Sequence, residues 1–286
     1  MKKPKFSLGT LDGSNIDRHI TPYLSKGKRG PKPELPLDQI VMLIHHRLKT
    51  GCQWRQLPIK QFAEDALVGW NTIYHHFRKW SKDGTWERVW FSLLTKHKAH
   101  LDLSSAQLDG SQTPSKKGGE AVGYQGRKAS NTTNSLFLSD DSGQIIAMST
   151  PQAGSHHDLF KIEQSFGEMI NQLESAGIDT RSIFLNADAG FDSDQFRGIC
   201  AKQEIEANVK SNPRNSKEDD PIREDLYFDE ELYKRRTVIE RANAWIDGFK
   251  ALIIRYEKTI STWMSLHWLA FSTMFINRIN RSVRIT

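Results

Sequence analysis

The sequence predicts an α/β (α+β) chain in which a small all-α region precedes a larger mixed-sheet domain. Three observations carry that expectation. Apolar residues between Leu37 and Leu94 recur at the three- and four-residue spacing of amphipathic helices. Beyond residue 100, short apolar runs bounded by Gly, Asp and Ser replace that period, as strands and turns require. Strand-like and helix-like stretches then alternate, the order expected of a sheet covered by helices. A length of 286 residues suits one small and one medium domain. The expected divisions are a basic N-terminal arm over 1–36, an all-α domain over 37–100 and a mixed-sheet domain over 101–286.

Residues 1–36 are rich in Lys, Gly and Pro, including KGKRGPKPELP, and are expected to be mostly irregular. Leu37, Ile40, Val41, Leu43, Ile44 and Leu48 mark the first helix, which Gly51 ends. Asn71 is a candidate N-cap for a second helix. There Ile73, Phe77 and Trp80 share one face, with His75, His76, Arg78 and Lys79 on the others. Trp86, Trp90, Leu93 and Leu94 mark a third. NSLFLSD and QIIAMST flank the turn signal D-D-S-G, predicting a hairpin. Residues 159–176 read as a helix with Phe160, Ile162, Phe166, Met169, Ile170 and Leu173 inward. SIFLNA (182–187) reads as a strand buried on both faces. A helix near 193–203, a strand near 205–209, a charged loop over 211–225 and helices to Asn280 follow. One of these helices spans 230–249, with Val238, Ala242, Trp245 and Phe249 as its apolar stripe.

The net charge is +6, and basic residues cluster at 2–5, 26–32, 79–98 and 250–284, which favours polyanionic partners. The chain has two cysteines, Cys52 and Cys200, far apart, so no disulfide framework is implied and a reducing compartment is the default. MKKPKFSLG has no apolar core behind its charges, and no stretch reaches the roughly 18 apolar residues of a membrane span. A soluble, cytoplasmic protein is expected.

Three carboxylates are candidates for chemistry: Asp109 in LDGS, Asp188 in NADAGFD, and Glu240 in YKRRTVIE. An acid at the end of a buried strand is costly unless something charged or hydrogen-bonding meets it. Divalent cations take carboxylate oxygens, and two of them roughly 3.5–4 Å apart clamp the oxygens of a phosphoryl transfer. Taken singly, Asp109 also suits a turn that satisfies backbone amides. Asp192 and Asp194 suit the cap and first turn of the helix that follows them. Glu240 suits an ordinary i,i+4 pair with Arg236, on a helix face shared with Tyr233 and Asp247. The histidine pairs His45-His46, His75-His76 and His156-His157 lack zinc spacing, and His157-Asp158 reads as a supporting or helix-cap pair. No serine has a convincing His-Asp arrangement. KGGEAVGYQG with Lys116, Lys117, Arg127 and Lys128 looks like a mobile basic loop near phosphate.

These residues together resemble the bacterial insertion-sequence transposases of the DDE type, in particular the insertion-sequence-five group. TGCQWRQLP with NTIYHHFRKW resembles that group's N-terminal DNA-binding region. LDGS, NADAGFD and YKRRTVIERANAWIDGFKALIIRYEK look like its three catalytic motifs in order. Tyr233, Arg236 and Glu240 match the Y-x2-R-x3-E pattern of the wider family. Asp247 departs from it, standing where a basic residue often follows, with Lys250 as a possible substitute. The resemblance implies an RNase H-like catalytic domain, a helix-turn-helix-like DNA-binding domain over 37–100, and metal-dependent DNA strand cleavage and transfer. Asp109, Asp188 and Glu240 would then hold Mg2+ or Mn2+, two ions in all. Tyr74, His75, Arg78, Lys79, Arg127, Lys128, Tyr233, Arg236 and Lys250 would contact DNA. The implied partners are terminal inverted repeats, target DNA and further copies of the chain, in a homodimer or higher assembly. A nuclease or resolvase without strand transfer, and a non-catalytic DNA-binding regulator, are the alternatives.

Overall fold

A computed structural model describes residues 11–27, 34–62, 67–212 and 227–285, with side chains described through 282. In chain order they form α1 (Gly13–His19), α2 (Leu37–Thr50), α3 (Ile59–Phe62), α4 (Trp70–Lys82) and α5 (Thr85–His97). The sheet elements follow: β1 (Ser105–Pro114), β2 (Gly123–Gln125), β3 (Ser130–Asp140), β4 (Ile145–Met148), β5 (Gln152–Ala153), α6 (Ile162–Ser175), β6 (Phe184–Ala187), α7 (Asp194–Lys202) and β7 (Glu206–Val209). Four helices end the chain: α8 (Glu230–Lys234), α9 (Thr237–Ile246), α10 (Lys250–Ile253) and α11 (Ile260–Ile285). No helix among the described residues is long and apolar enough to cross a membrane.

Two compact units result, one of residues 1–97, 116–119 and 246–286, the other of 98–115 and 120–245. This differs from the division at residue 100 that composition suggests. The reason is the apolar content of α11. Trp263, Leu266, Leu269, Phe271, Phe275 and Ile276 are all buried, and α11 packs on α4 and α5. Trp90 meets Phe271 and Phe275 edge-on at centroid distances of 6.0 and 5.8 Å, and Phe91 meets Trp268 at 5.7 Å. A three-helix region alone could not cover so many large rings.

Within this helical unit, α2 ends at Gly51 as expected. Its φ of 69° is the left-handed conformation that glycine adopts cheaply, and its N–H caps the Arg47 carbonyl. The face Ile73–Phe77–Trp80 of α4 is fully buried. The helix starts at Trp70 with Gly69 as N-cap, so Asn71 lies inside the first turn and does not cap it. The expected irregular arm is also corrected in part. Asp12 caps α1 by accepting from the Asn15 N–H, and Leu11, Ile16, Ile20 and Leu24 are buried. Their near-helical spacing underlies the basic composition; residues 1–10 and 28–33 lie outside the described residues.

Residues 116–119, expected to be a mobile loop, are fixed in this unit. The Lys116 N–H donates to the Arg255 carbonyl, and Gly119 sits at φ 121° against Lys258. A Cβ at Gly119 would stand 2.4 Å from the Lys258 carbonyl oxygen. Gly119→Ala is therefore expected to cost about 1–3 kcal/mol from backbone strain, plus the shift of Lys258. A lowered urea midpoint for the full chain is the check.

The second unit is built on a seven-stranded mixed sheet of order β2-β3-β1-β6-β7, with β4 and β5 also paired to β3. β1 runs antiparallel to β3 and parallel to β6, and β6 runs parallel to β7. Parallel neighbours require crossovers, which α6 and α7 supply. The predicted hairpin forms. Asp140 accepts from the N–H groups of Asp102, Ser142 and Gln144, and Gly143 takes φ 87°. Within the buried strands β6 and β7, Asn186 and Asn208 are polar exceptions to the apolar run. Asn208 donates to Asn186, and the two amides reach Leu232 O and Asp229 O around α8. Buried amides without partners would be costly, so this ladder fastens α8 to the sheet.

Candidate active site

The parallel ladder between β1 and β6 ends at the register pair Leu108–Ala187. Asp109 and Asp188 are the next residue on each strand, so two acids stand side by side where the ladder stops. Crevices at the carboxyl ends of parallel strands are where α/β sheets bind ligands. Asp109 is not at the end of its own strand, as the LDGS sequence suggests. β1 continues to Pro114 in antiparallel pairing with β3, and the Asp109 backbone faces Phe137. This continuation excludes the turn reading of Asp109. Asp188, by contrast, does cap a turn, accepting from the Gly190 N–H at 2.8 Å.

Asp109 is the electrostatic focus. Its carboxyl is pushed up to about 6, first by burial and then by the charges of Asp188 and Asp158, against the lowering effect of Arg236. The Arg236 guanidinium lies 3.8 Å from Asp109 Oδ1 and 2.8 Å from Glu240 Oε1. One cation thus spans the first and third predicted acids. Asn243 Nδ2 donates to Asp109 Oδ2 at 3.0 Å, while its own Oδ1 is buried without a partner. Glu240 is itself exposed, at 57 % of its side chain.

The helix expected over 230–249 is two helices. α8 stops at Lys234 and α9 starts at Thr237, because consecutive arginines are drawn to different acids: Arg235 to Asp141 at 2.9 Å, Arg236 to Asp109 and Glu240. The row Tyr233–Arg236–Glu240–Asp247 is therefore not one helix face. The inward stripe of α9 is Val238, Ile239, Ala242 and Ile246, whereas Trp245, expected inside, is exposed. Asp192 does not cap α7; Ser193 does, accepting from the Phe196 N–H at 3.1 Å. Asp192 is buried instead, bound by Arg197 and the Asn212 N–H.

The residues expected to meet DNA are scattered in character. On α4, His75 and Arg78 are exposed, whereas Tyr74 is half-buried beside Trp54 and Trp70, at 5.0 and 6.3 Å between ring centroids. The Lys79 ammonium is drawn to the Ser25 carbonyl at 3.5 Å. Arg127 is exposed, and Lys128 donates to the Gln112 carbonyl at 2.7 Å. Tyr233 is half-buried against Phe228. Lys250 opens α10 and donates to the Asp247 carbonyl at 3.3 Å.

Asn243 and Arg235 were not singled out by motif. Asn243 lies three residues after Glu240 and seven after Arg236, a helical spacing that gave a signal. Asp158 stood in the sequence as part of a supporting or helix-cap pair with His157; it does not cap α6, whose N-cap is Lys161, and accepts instead from Asn134 of β3. A cavity of about 770 Å³ lined by Arg197, Glu204, Glu206 and Tyr227 lies at the amino ends of β6 and β7, away from the acids. Cys200 is buried in α7, its thiol pushed up to about 12, so it is chemically quiet.

The side chains around Asp109 suit a divalent cation in donor type. Asp109 and Asp188 offer hard oxygens, and burial with like charges leaves Asp109 short of positive charge. Among the described residues no three His, Cys, Asp or Glu side chains form a ready-made cage.

Comparison with known proteins gives a consistent family. A family described as "DDE superfamily endonuclease" matches residues 107–276, more than half of the chain. One described as "Putative transposase of IS4/5 family" matches residues 16–90. The chain is 32% identical over 78 residues to the "Insertion element IS402 uncharacterized 16.2 kDa protein" of Burkholderia cepacia, which is 27% of this chain and 50% of that protein. The match thus spans half the length of that curated relative. Among solved structures, the piggyBac transposase synaptic complex with hairpin DNA aligns at TM-score 0.47 and 10% identity, covering 95% of this chain and 73% of that one. The Mos1 mariner paired end complex with Mn aligns at TM-score 0.28 and 12% identity, covering 90% and 82%.

Proposed function

This chain belongs to the DDE superfamily endonucleases, and on that premise we propose that it is an insertion-sequence transposase. It binds the terminal inverted repeats of its element and carries out metal-dependent DNA strand cleavage and strand transfer. The observation that carries this reading is the adjacency of Asp109 and Asp188 beyond the last parallel register pair, with Arg236 linking Asp109 to Glu240.

In this reading Asp109, Asp188 and Glu240 are the ligands of the metal centre, with Mg2+ or Mn2+ as the natural ions. When bound, the divalent cation polarises the scissile phosphate and makes the attacking oxygen more nucleophilic. The protein's own groups do the positioning. Asn243 holds one oxygen of Asp109, leaving the other to face Arg236. Arg236 neutralises the acids in the free protein and is free to turn to a phosphate oxygen when they acquire another cation; its planar fork suits both partners. Phosphoryl transfer needs little beyond such positioning and charge stabilisation.

The helical unit supplies the DNA grip. His75 and Arg78 are exposed polar groups on α4, away from its buried face, as on a helix that enters a groove. Arg78→Ala in the full chain is expected to weaken terminal-repeat binding by about 1–3 kcal/mol, and Lys79→Ala by less, because Lys79 is turned to Ser25. Competition gel shifts with scrambled DNA provide the check.

A strand-transfer assay with a labelled 3′-OH transposon end tests the function. Joined product supports a transposase. Cut product alone would instead mean a nuclease or resolvase, and bound complex alone a DNA-binding regulator.

A further inference from the structure

Asp192 is a buried acid whose side chain serves neither the helix cap nor the turn beside it. It is only 1% exposed, and a carboxylate so placed is costly unless charge and hydrogen bonds meet it. Ser193 caps α7 without it. The turn after β6 is closed by backbone alone: the Phe191 N–H donates to the Asp188 carbonyl at 3.0 Å, and the Asp192 N–H to the Ala189 carbonyl at 3.3 Å.

The partners of the Asp192 carboxylate point elsewhere. Arg197 of α7 donates from Nε and Nη2 to Asp192 Oδ1 at 3.2 and 3.0 Å. The same Nη2 reaches the Val209 carbonyl at 2.7 Å, and Nη1 the Ala207 carbonyl at 3.5 Å. Val209 of β7 is the register partner of Ala187, the residue before Asp188. Asn212 donates its backbone N–H to Asp192 Oδ2 at 2.8 Å and its Nδ2 to the Ala189 carbonyl at 3.2 Å. The chain that leaves β6 at Asp188 is thus tied back, four residues on, to the end of the neighbouring strand. Within the loop so closed, the Gly190 N–H holds Asp188 Oδ1 at 2.8 Å.

We propose that Asp192 and Arg197 are positioning residues for Asp188. Their buried ion pair, with Asn212, clasps the turn 188–192 to β7 and so aims the Asp188 carboxylate at the crevice beside Asp109. The proposal rests on reading Asp188 as a metal ligand; Asp192 and Arg197 act through it and touch neither metal nor DNA. A buried ion pair gains little stability over a well-packed apolar pair, so what this one contributes is geometry.

The test is Mn2+ titration of the full chain without DNA, read by electron paramagnetic resonance. Beside it run cleavage of labelled transposon ends at saturating DNA and thermal unfolding of the metal-free protein. Asp192→Leu combined with Arg197→Met removes the clasp and leaves no buried charge unpaired. This variant is expected to keep a near-native unfolding midpoint and DNA affinity, yet to bind Mn2+ and cleave about 10–100-fold less well. Arg197→Lys keeps the charge but not the planar fork, and should shift both in the same direction by less. Phe166→Leu loosens α6 against Phe196 of α7 without touching the clasp, and should lower the midpoint while Mn2+ affinity stays native. Native Mn2+ affinity and cleavage in both clasp variants, or an equal loss in Phe166→Leu, would overturn the positioning role and leave Asp188 as a ligand. Failure of the native chain to bind Mn2+, or native binding and cleavage by Asp188→Asn, would overturn the reading of Asp188 itself.

Discussion

Asp109→Asn is expected to abolish strand cleavage, by on the order of 10²–10³-fold or more, while making the metal-free protein more stable. The two effects have one origin. Asp109 is largely withdrawn from water next to Asp188, within reach of the Asp158 charge, and its carboxyl is raised from 3.8 to about 6. A raised acid binds a proton more tightly folded than unfolded. Its ionisation therefore destabilises the fold at pH above about 6, and that penalty disappears below about 3.8. A shift of this size corresponds to on the order of 3 kcal/mol at neutral pH, an upper bound because Asn also forfeits the attraction to Arg236. Thermal unfolding of metal-free native and Asp109→Asn proteins should differ most at pH 7–8 and converge near pH 4. Cation binding has the opposite pH sense: a divalent ion competes with the proton below about pH 6, so cleavage should fall on acidification through that range. A variant less stable than the native protein at pH 8 would mean that Asp109 is structural, with Arg236 as its true partner.

That penalty is what made the strand-end acids conspicuous in the sequence, yet only part of their setting was legible there. Leu108 and Ala187 announce buried strands, so the positions of Asp109 and Asp188 followed from period and polarity. Their adjacency depends on the parallel register of β1 and β6, which no local pattern encodes. The antiparallel continuation of β1 was hidden because GSQTP has little apolar content; β3 and its neighbours supply the pairing instead. Glu240 was legible through the helical i,i+4 spacing to Arg236. The break at 235–236 was not, since it comes from Asp141 and Asp109 pulling neighbouring arginines apart. Asp158 and Asn134 meet through a hydrogen bond 24 residues apart in sequence, which only folding creates. In the helical regions, faces such as Ile73–Phe77–Trp80 were readable residue by residue. What covers them was not, because α11 lies far along the chain.

Glu257→Ala should be among the most destabilising single changes in the helical unit, at about 3–5 kcal/mol. Glu257 pairs with Arg47 of α2 at 2.8 Å, and both side chains are only 6% exposed. Removing the carboxylate leaves a guanidinium buried without its counter-charge, over the Trp54 ring at 5.1 Å. Arg47→Met should cost less, since Glu257 keeps the Tyr256 N–H as a donor. Arg47→Met combined with Glu257→Leu should cost least relative to the sum of the singles, because no charge is then left uncompensated. This double-mutant cycle also decides what the basic C-terminal region does. If the region from Lys250 served only to neutralise DNA phosphate, Glu257→Ala would leave the urea midpoint unchanged and alter the salt dependence of DNA binding. The buried pair, and the rings of α11 packed on α5, predict the reverse: a large fall in midpoint, with a coupling energy of several kcal/mol between residues 47 and 257. The segment joining α10 to α11 is then part of the helical core rather than a free basic tail.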